Sequence, residues 1–450
     1  MNFVGMSNSA TGRSGAASVS DQQKTAFQSC AIYEILVILY WLKKNSCLCM
    51  VQVQNQASAN PLQNSPLFHL SLTSKELFHS NFLYWLGMTY RDLFKTMFSN
   101  LGCQTAKWPD GWVVEREYKV SRSISLDLCV KEPGKKGKIY LVLENKVKSI
   151  PNQQQLDRYA AIGNLADTCD FILLSLATDF PHKDQIDANG GGKWIVWSYG
   201  DLAAALDKAL TSCGGNVSPF HKAILEDYIQ MVWGLDGLFG HLTVDEDSGY
   251  NYKCKNKKED KELREYIDLL KQLRMDDVYE KVRTSSIAKK LAERLRDRLE
   301  KESHIAIESG CKIEKIGEMS EPFFAKVYVD SGFTRGMSLV EAKVKINDRY
   351  VLVVQIQGEQ YRHAIEWFNT VQDQWEQTQQ EKLPSDWFSS TAHGNQLDGQ
   401  TKDHCKYVDK KSNSIFLYRY RKIGKEETVN NVLDEVVVDI CHIFQTYGQH

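Results

Sequence analysis

Two acidic residues and a lysine in this 450-residue chain have the types and spacing needed to cleave a phosphodiester bond. Glu144 and Lys146 stand two residues apart at the end of an apolar segment. Both therefore project to one face if that segment is a β-strand, while Asn145 projects to the other. Asp127 lies in an earlier segment whose apolar and polar residues alternate, which also predicts a strand. Because a Pro-Gly pair at 133–134 favours a turn between them, we expect a hairpin that brings the Asp127 and Glu144 carboxylates together.

Metal-dependent hydrolysis is the chemistry that suits these residues. A phosphodiester resists attack because its anionic oxygens repel nucleophiles, and a hard divalent cation held by carboxylates offsets that charge. We expect Mg²⁺, with Mn²⁺ as a substitute, held by Asp127, Glu144 and the backbone carbonyl of Asn145. Lys146 would act as the catalytic base or as an electrostatic helper.

A helix predicted after the second strand carries Gln155 and Tyr159. The two residues are four apart and share one helix face, where they could position Lys146 or a phosphate as further residues of the catalytic set. Together with Asp127 and the Glu144-Asn145-Lys146 triplet, this Gln-x-x-x-Tyr pair resembles the signature of the PD-(D/E)XK nuclease superfamily, in the form found in its RecB-type members.

The resemblance spans about 66–201 and is closest to a bacterial group of the superfamily with an upstream helix of the form E-x-x-H-S-x-x-L-x-W-L-L. Here that segment begins Glu76-Leu77-Phe78-His79-Ser80. Leu126 replaces the proline of the motif. The resemblance implies an α/β, restriction-endonuclease-like mixed sheet flanked by helices. It also implies a Mg²⁺-dependent deoxyribonuclease and a setting in defence, restriction or repair.

Further side chains are weaker candidates for the same site. Glu76 could reach the cation from its helix. Four residues could contact nucleic acid: His79, Lys136, Lys148 and Arg158. For His79 a buried core imidazole is an equal alternative, and a turn rich in solvated lysines accounts equally well for Lys136.

Glu-x-Lys triplets occur elsewhere by chance, so the spacing alone decides nothing. Glu259-Asp260-Lys261 lies in a charged run typical of a solvated surface. Glu341-Ala342-Lys343 follows an apolar run and has Asp330 upstream, but no Gln-x-x-x-Tyr helix follows it. The full set from Asp127 to Tyr159 therefore favours the first triplet.

Composition indicates a globular protein with no strong charge bias. The net charge of −2 predicts that any nucleic-acid surface is local. The 11 cysteines show no zinc spacing, so reduced thiols and a cytoplasmic location are expected. The apolar stretch 31–42 is too short to cross a bilayer and contains Glu34, so no membrane association is predicted.

Four regions are predicted along the chain. Residues 1–60 form a variable, partly disordered extension, 61–240 the nuclease domain, and 241–304 a charged amphipathic helical linker. Residues 305–450 form an α+β domain with an antiparallel sheet that serves specificity, sensing or oligomerisation.

The aromatic and basic residues of that last domain, at 361–363 and 418–422, could contact nucleic acid. An ordinary half-exposed strand is the favoured account of the same pattern.

Two alternatives to an active nuclease remain open. One is a catalytically silent nucleic-acid-binding or interaction protein. The other is a conditional nuclease controlled by a regulatory partner or ligand that the C-terminal domain senses. Besides nucleic acid, a homo-oligomer is a candidate partner.

Overall fold

The computed structural model of the chain describes residues 59–71, 75–122, 124–147, 153–177, 194–239, 242, 244–250, 261–300, 305–309, 326–334, 337–346, 350–367, 385–397, 405–409 and 414–447. Most of the predicted N-terminal extension lies outside these residues, as do Lys148 and the first two residues of the 259–261 triplet. The apolar stretch at 31–42 also lies outside them. None of the described helices is both long enough and apolar enough to cross a membrane.

The first sheet has five strands in sequence order: β1 (Val113–Lys119), β2 (Ser125–Lys131), β3 (Ile139–Lys146), β4 (Leu165–Ser175) and β5 (Trp194–Trp197). The β1-β2 and β2-β3 pairings are antiparallel, and β3-β4 and β4-β5 are parallel. The predicted mixed sheet and the predicted β2-β3 hairpin are both confirmed.

The helices that accompany this sheet in the described part of the chain include α1 (Pro66–Ser71), α2 (Lys75–Thr89), α3 (Arg91–Asn100), α4 (Gln153–Ala160), α5 (Tyr199–Cys213) and α6 (Pro219–Phe239). Leu141 and Leu143 of β3 belong to a core shared with α2, α3, α5 and α6, whereas Val142 packs with Leu156 of α4. Helices thus cover both faces of the sheet, which explains why β3 is a nearly continuous apolar run.

Two amphipathic helices follow, α7 (Lys261–Gln272) and α8 (Asp276–Leu295), where the sequence predicts two. Val278 and Val282 of α8 belong to the core of the first sheet, whereas Leu291 and Leu295 belong to the core of the second sheet. Because α8 contributes to both cores, this helix of the region predicted as a linker is part of the packed structure. Residues Asn55–His450 form one compact unit, whose parts are held together by contacts between its residues.

The second sheet has seven strands: β6 (Ala306–Ser309), β7 (Lys326–Thr334), β8 (Met337–Lys345), β9 (Tyr350–Gln357), β10 (Gln360–Trp367), β11 (Cys405–Asp409) and β12 (Ser414–Lys422). Their order is β11-β12-β10-β9-β8-β7-β6. All pairings are antiparallel except β6-β7 at one edge, which is parallel. One face packs on α8 and on a final helix, α9 (Val429–Tyr447). The predicted α+β architecture is confirmed, and the parallel edge strand was not predicted.

Candidate active site

The hairpin register places the two acidic side chains beside each other. Leu128 pairs with Leu143 across β2 and β3, so the next positions along the ladder are Asp127 and Glu144. The backbone N–H of Asn145 donates to Asp127 Oδ2 at 2.8 Å. This bond fixes the Asp127 carboxylate against the end of β3.

Glu144 Oε1 is the centre of a chain of polar contacts. Lys146 Nζ lies 2.6 Å from it, and Gln155 Nε2 donates to it at 2.7 Å. The same amide donates to Tyr159 Oη at 2.7 Å, and that hydroxyl donates to the Ser125 carbonyl at 2.8 Å. Glu144, Lys146, Gln155 and Tyr159 are thus linked by polar contacts, and Asp127 lies beside them. The structure therefore brings together all five side chains predicted as catalytic.

Burial makes the two carboxylates difficult to ionise together. Desolvation, followed by the Asp127 carboxylate, raises the pKa of Glu144 to about 7, although Lys146 works in the opposite direction. Desolvation also raises the pKa of Asp127, partly offset by the Asn145 N–H. Burial disfavours the Lys146 ammonium, but the adjacent Glu144 carboxylate outweighs it and holds the pKa of Lys146 above its ordinary value. Lys146 is therefore a cation at neutral pH.

The second oxygen of Glu144 is the feature that fits a metal ion. Glu144 Oε2 is buried and has no hydrogen-bond partner, and a buried acceptor without a partner is costly. The Asn145 carbonyl lies on the same strand edge as its N–H, hence toward Asp127. Among the described residues no three His, Cys, Asp or Glu side chains are arranged to hold a metal. Two carboxylates, a carbonyl and waters are nonetheless a set that Mg²⁺ accepts.

Glu76 lies in the first turn of α2. Its charge contributes to the raised pKa of both Asp127 and Glu144. Its backbone carbonyl accepts a hydrogen bond from Asn145 Nδ2 at 2.7 Å. The structure thus places the backbone of this weaker candidate ligand against the end of β3.

His79 does not reach the site surface. Its side chain is 1% exposed, and Nδ1 lies 2.9 Å from the Tyr228 hydroxyl between aromatic rings. Burial lowers its pKa to about 3, so the imidazole is neutral. A neutral, enclosed ring cannot bind a phosphate, and the expectation of a nucleic-acid contact is corrected to the alternative of a core histidine.

The other predicted nucleic-acid contacts have mixed positions. Lys136 is exposed in the β2-β3 turn, which lies about 20 Å from Glu144 at roughly 3.3 Å per strand residue. It does not belong beside the acid pair, because the turn is at the opposite end of the hairpin. Arg158 is exposed on α4, next to Tyr159. Lys148 lies outside the described residues.

Glu117 is a residue of this site that the sequence reasoning missed. It lies in β1 between two residues paired with Leu126 and Leu128, hence opposite Asp127, and its charge raises the pKa of Asp127. Its φ of 47° lies in the left-handed region that favours glycine. Such strain concentrates at functional sites. The signal in the sequence was a further Glu-x-Lys triplet, Glu117-Tyr118-Lys119.

The second triplet, Glu341-Ala342-Lys343, makes a closed ionic network instead. Asp330 pairs with Glu341 across the sheet, as Asp127 faces Glu144. However, both Glu341 oxygens have partners, Lys343 Nζ at 3.1 Å and Gln355 Nε2 at 2.9 Å. Lys343 also pairs with Glu366 at 3.0 Å. Neither oxygen of Glu341 is therefore left without a partner.

The aromatic and basic residues of the second sheet also have structural partners. The Arg362 guanidinium is buried 4.2 Å over the Tyr418 ring, and His363 Nε2 lies 2.7 Å from the buried Asp439 carboxylate. Arg421 pairs with Glu427 at 2.7 Å. These contacts favour the ordinary-strand account over a nucleic-acid surface.

Comparison with known proteins agrees with this geometry. Residues 67–230 match the family model described as the PD-(D/E)XK nuclease superfamily, and this range contains the acid pair, the lysine and the Gln-Tyr helix. A search of curated proteins and a search of solved structures returned no match. The sequence motif, the mixed sheet and the family model agree, and the chain carries a domain of the PD-(D/E)XK nuclease superfamily over residues 67–230.

Proposed function

We propose that this chain is a nuclease that hydrolyses phosphodiester bonds in DNA and requires Mg²⁺, with Mn²⁺ able to replace it. The observation that carries this proposal is the buried, unpartnered Oε2 of Glu144 beside the Asp127 carboxylate. A site that keeps two carboxylates together out of water, with one oxygen unsatisfied, is stabilised when a cation joins them.

The proposed ligands are Asp127 Oδ1 or Oδ2, Glu144 Oε2 and the carbonyl of Asn145, with Glu76 as a further carboxylate. A divalent cation held there supplies positive charge to a phosphate oxygen and makes a water easier to deprotonate. Asp127 is already oriented by the Asn145 N–H, so it needs no rearrangement to serve as a ligand.

Lys146 is the residue that can act directly on the phosphate. Its side chain is 12% exposed, and its raised pKa keeps the ammonium protonated. A group that holds its proton this firmly is a poor base. Lys146 therefore offsets the negative charge that develops on the phosphate, and of the two roles considered for it the electrostatic one is favoured.

Gln155 and Tyr159 hold Glu144 in place. The Gln155 amide uses both of its N–H groups, one on Glu144 Oε1 and one on the Tyr159 hydroxyl. Tyr159 in turn is anchored to the Ser125 carbonyl of β2. Because Oε1 is occupied by Gln155 and Lys146, Oε2 is the oxygen presented to a cation.

DNA as the substrate, and defence, restriction or repair as the setting, follow from what the superfamily commonly does. The net charge of −2 adds that affinity must come from a local surface or from the metal site. A silent binding protein that keeps the fold has no need for a strained Glu117 or an unpartnered Glu144 oxygen. The conditional nuclease differs only in requiring a partner before it cuts.

Cleavage assays separate these possibilities. The purified chain is incubated with plasmid DNA, linear DNA and RNA, with Mg²⁺, Mn²⁺ or EDTA. Glu144→Gln and Lys146→Ala are expected to lower the rate at least about 100-fold. Glu341→Gln is the matched control, since it makes the same change in the closed network of the second triplet.

The outcomes differ clearly. DNA cleavage that needs metal, fails in the two site variants and survives in Glu341→Gln supports the proposal. Cleavage that persists in the site variants contradicts it. Preference for RNA overturns the substrate. No cleavage by the wild type, with metal binding intact, favours the conditional or silent alternatives.

A further inference from the structure

The ladder between β2 and β3 ends before it reaches the acid pair. Within residues 124–147, Leu128–Leu143 is the last backbone pair on the side of the acids. In a continued ladder the Asn145 N–H would donate to a carbonyl of β2, but it donates to the Asp127 carboxylate at 2.8 Å instead. The position of the Asp127 carboxylate therefore depends on the direction of a single N–H group.

The side chain of Asn145 connects this point of β3 to two helices. It is fully buried and donates through Nδ2 to the Glu76 carbonyl at 2.7 Å and to Ser80 Oγ at 3.4 Å, both in α2. Its Oδ1 accepts a hydrogen bond from the Tyr199 hydroxyl at the start of α5. One residue of β3 is thus bound to α2 and α5 by its side chain and to Asp127 by its backbone.

The orientation of this amide is determined by its neighbours. The Glu76 carbonyl can only accept, so the amide nitrogen must face α2, and the amide oxygen must face Tyr199, whose hydroxyl then donates. A buried amide with both ends engaged cannot rotate without breaking hydrogen bonds that no water replaces, which is costly. The backbone is held as well, because it cannot turn at Asn145 without pulling the side chain out of these bonds.

We propose that Asn145 is a positioning residue: its buried amide, held by α2 and by Tyr199, aims the backbone N–H that orients the Asp127 carboxylate. This inference rests on the proposed function, in which Asp127 is a ligand of the cation. Asn145 acts through Asp127, and its side chain touches neither the cation nor the DNA.

The inference gives the upstream helix motif a role behind β3. Ser80 contacts the Asn145 amide directly. The ring of His79 packs edge-on against the Tyr199 ring, with 4.9 Å between the centroids, and so supports the hydroxyl that holds the amide oxygen. Both residues then stabilise the geometry of the acid pair from the far face of the sheet.

Mn²⁺ titration calorimetry on the full chain, after removal of metal with EDTA, tests the inference without relying on turnover. Asn145→Ala should lower the Mn²⁺ affinity about tenfold, within the range found when groups behind metal ligands are removed. Tyr199→Phe removes one of the hydrogen bonds that hold the amide and should lower the affinity about threefold. At saturating Mn²⁺, Asn145→Ala should lower kcat for DNA cleavage about tenfold with little change in KM, because its side chain does not contact DNA.

Tyr228→Phe is the matched control. It removes an equally buried hydroxyl that contacts only His79 among the hydrogen bonds described. Its unfolding midpoint should fall about as much as that of Tyr199→Phe, while its Mn²⁺ affinity and kcat stay unchanged. A contribution to stability alone would instead make the affinity follow the midpoint in both variants. If Asn145→Ala does not fold, the comparison of the two tyrosine variants decides the question.

Two results would overturn the inference: unchanged Mn²⁺ affinity and kcat in Asn145→Ala, or equal losses of affinity in the two tyrosine variants. Asp127→Ala separates these from failure of the proposed function. If it abolishes Mn²⁺ binding while Asn145→Ala and Tyr199→Phe bind normally, only the positioning role is wrong. If the wild type binds Mn²⁺ no better than Asp127→Ala, both are wrong. If the wild type binds Mn²⁺ but cleaves no DNA, the affinities alone decide the positioning role.

Discussion

Replacing Glu144 by glutamine should stabilise the metal-free protein while it abolishes hydrolysis. Burial, followed by the Asp127 carboxylate, raises the pKa of Glu144 from 4.5 to about 7. That difference corresponds to about 3 kcal/mol that opposes folding wherever Glu144 must be ionised. The variant also loses the ion pair between Glu144 and Lys146. The buried Lys146 ammonium then lacks a neighbouring negative charge, which lowers the stability of the variant. The expected net gain is therefore about 1–2 kcal/mol at pH 8.

The pH dependence of this gain has a definite sign. The folded pKa of Glu144 lies above the unfolded one, so its contribution to stability is fully present below about pH 4.5 and is lost as the pH rises through about 7. Glutamine does not titrate. The advantage of Glu144→Gln over the wild type should therefore be small at pH 5 and largest at pH 8.

Thermal unfolding in EDTA at pH 5 and pH 8 measures this advantage, which should raise the midpoint by several degrees at pH 8. Mn²⁺ at about 100 times its dissociation constant should reverse the order, because it stabilises the wild type by about 2.7 kcal/mol and the variant much less. Glu341→Gln should lose stability at both pH values, since both Glu341 oxygens have partners. The reasoning is refuted if Glu144→Gln is less stable than the wild type at pH 8, or if its advantage does not change with pH.

Three further substitutions test the backbone around the two sheets. Glu117→Gly should raise stability by about 1 kcal/mol, because glycine adopts a φ of 47° without strain, and equal or lower stability in urea unfolding would contradict this. Gly137→Ala should cost about 2 kcal/mol, since its Cβ would lie 2.2 Å from the Glu132 carbonyl oxygen; Gly163→Ala, which has open space, is the control in the same assay. Arg274 has a φ of 53° just after α7, where the Met275 N–H donates to the Leu270 carbonyl. Replacing Arg274 by glycine should raise the free energy of unfolding by about 1 kcal/mol, and a lower unfolding midpoint would contradict this prediction.

The central strands were predictable because burial on one or both faces leaves a strong pattern. Strands β2 and β3 follow from alternation and from an apolar run, and their hairpin follows from the turn between them. Strand β1 was not predicted. Its sequence, VVEREYK, is largely charged, as expected for an edge strand with one neighbour and a solvent-facing side.

The site was predictable only where its residues are close in sequence. Asp127, Glu144, Lys146 and the Gln-Tyr helix lie within one continuous segment, so strand and helix periodicity are enough to align them. The position of Glu76 depends on how α2 packs against β3, which no local pattern contains. The distance of Lys136 from the acid pair could have been predicted from the sequence. Asp127 lies near the start of β2, and Lys136 lies in the turn that follows β2, so the two residues are at opposite ends of the hairpin.

A comparison of the triplets at Glu144 and Glu341 shows what a Glu-x-Lys motif leaves undetermined. Both lie on strands, both face an aspartate across a ladder, and in both the lysine contacts the glutamate. Their difference arises from the partner of the second glutamate oxygen. Gln355 on the neighbouring strand occupies that oxygen in Glu341, whereas in Glu144 the glutamine comes from a helix and shares the oxygen already bound by the lysine. One arrangement neutralises the carboxylate and closes it. The other leaves a buried oxygen that a cation can satisfy, and this makes the position of a single amide the physical distinction between a structural ion pair and a candidate metal site.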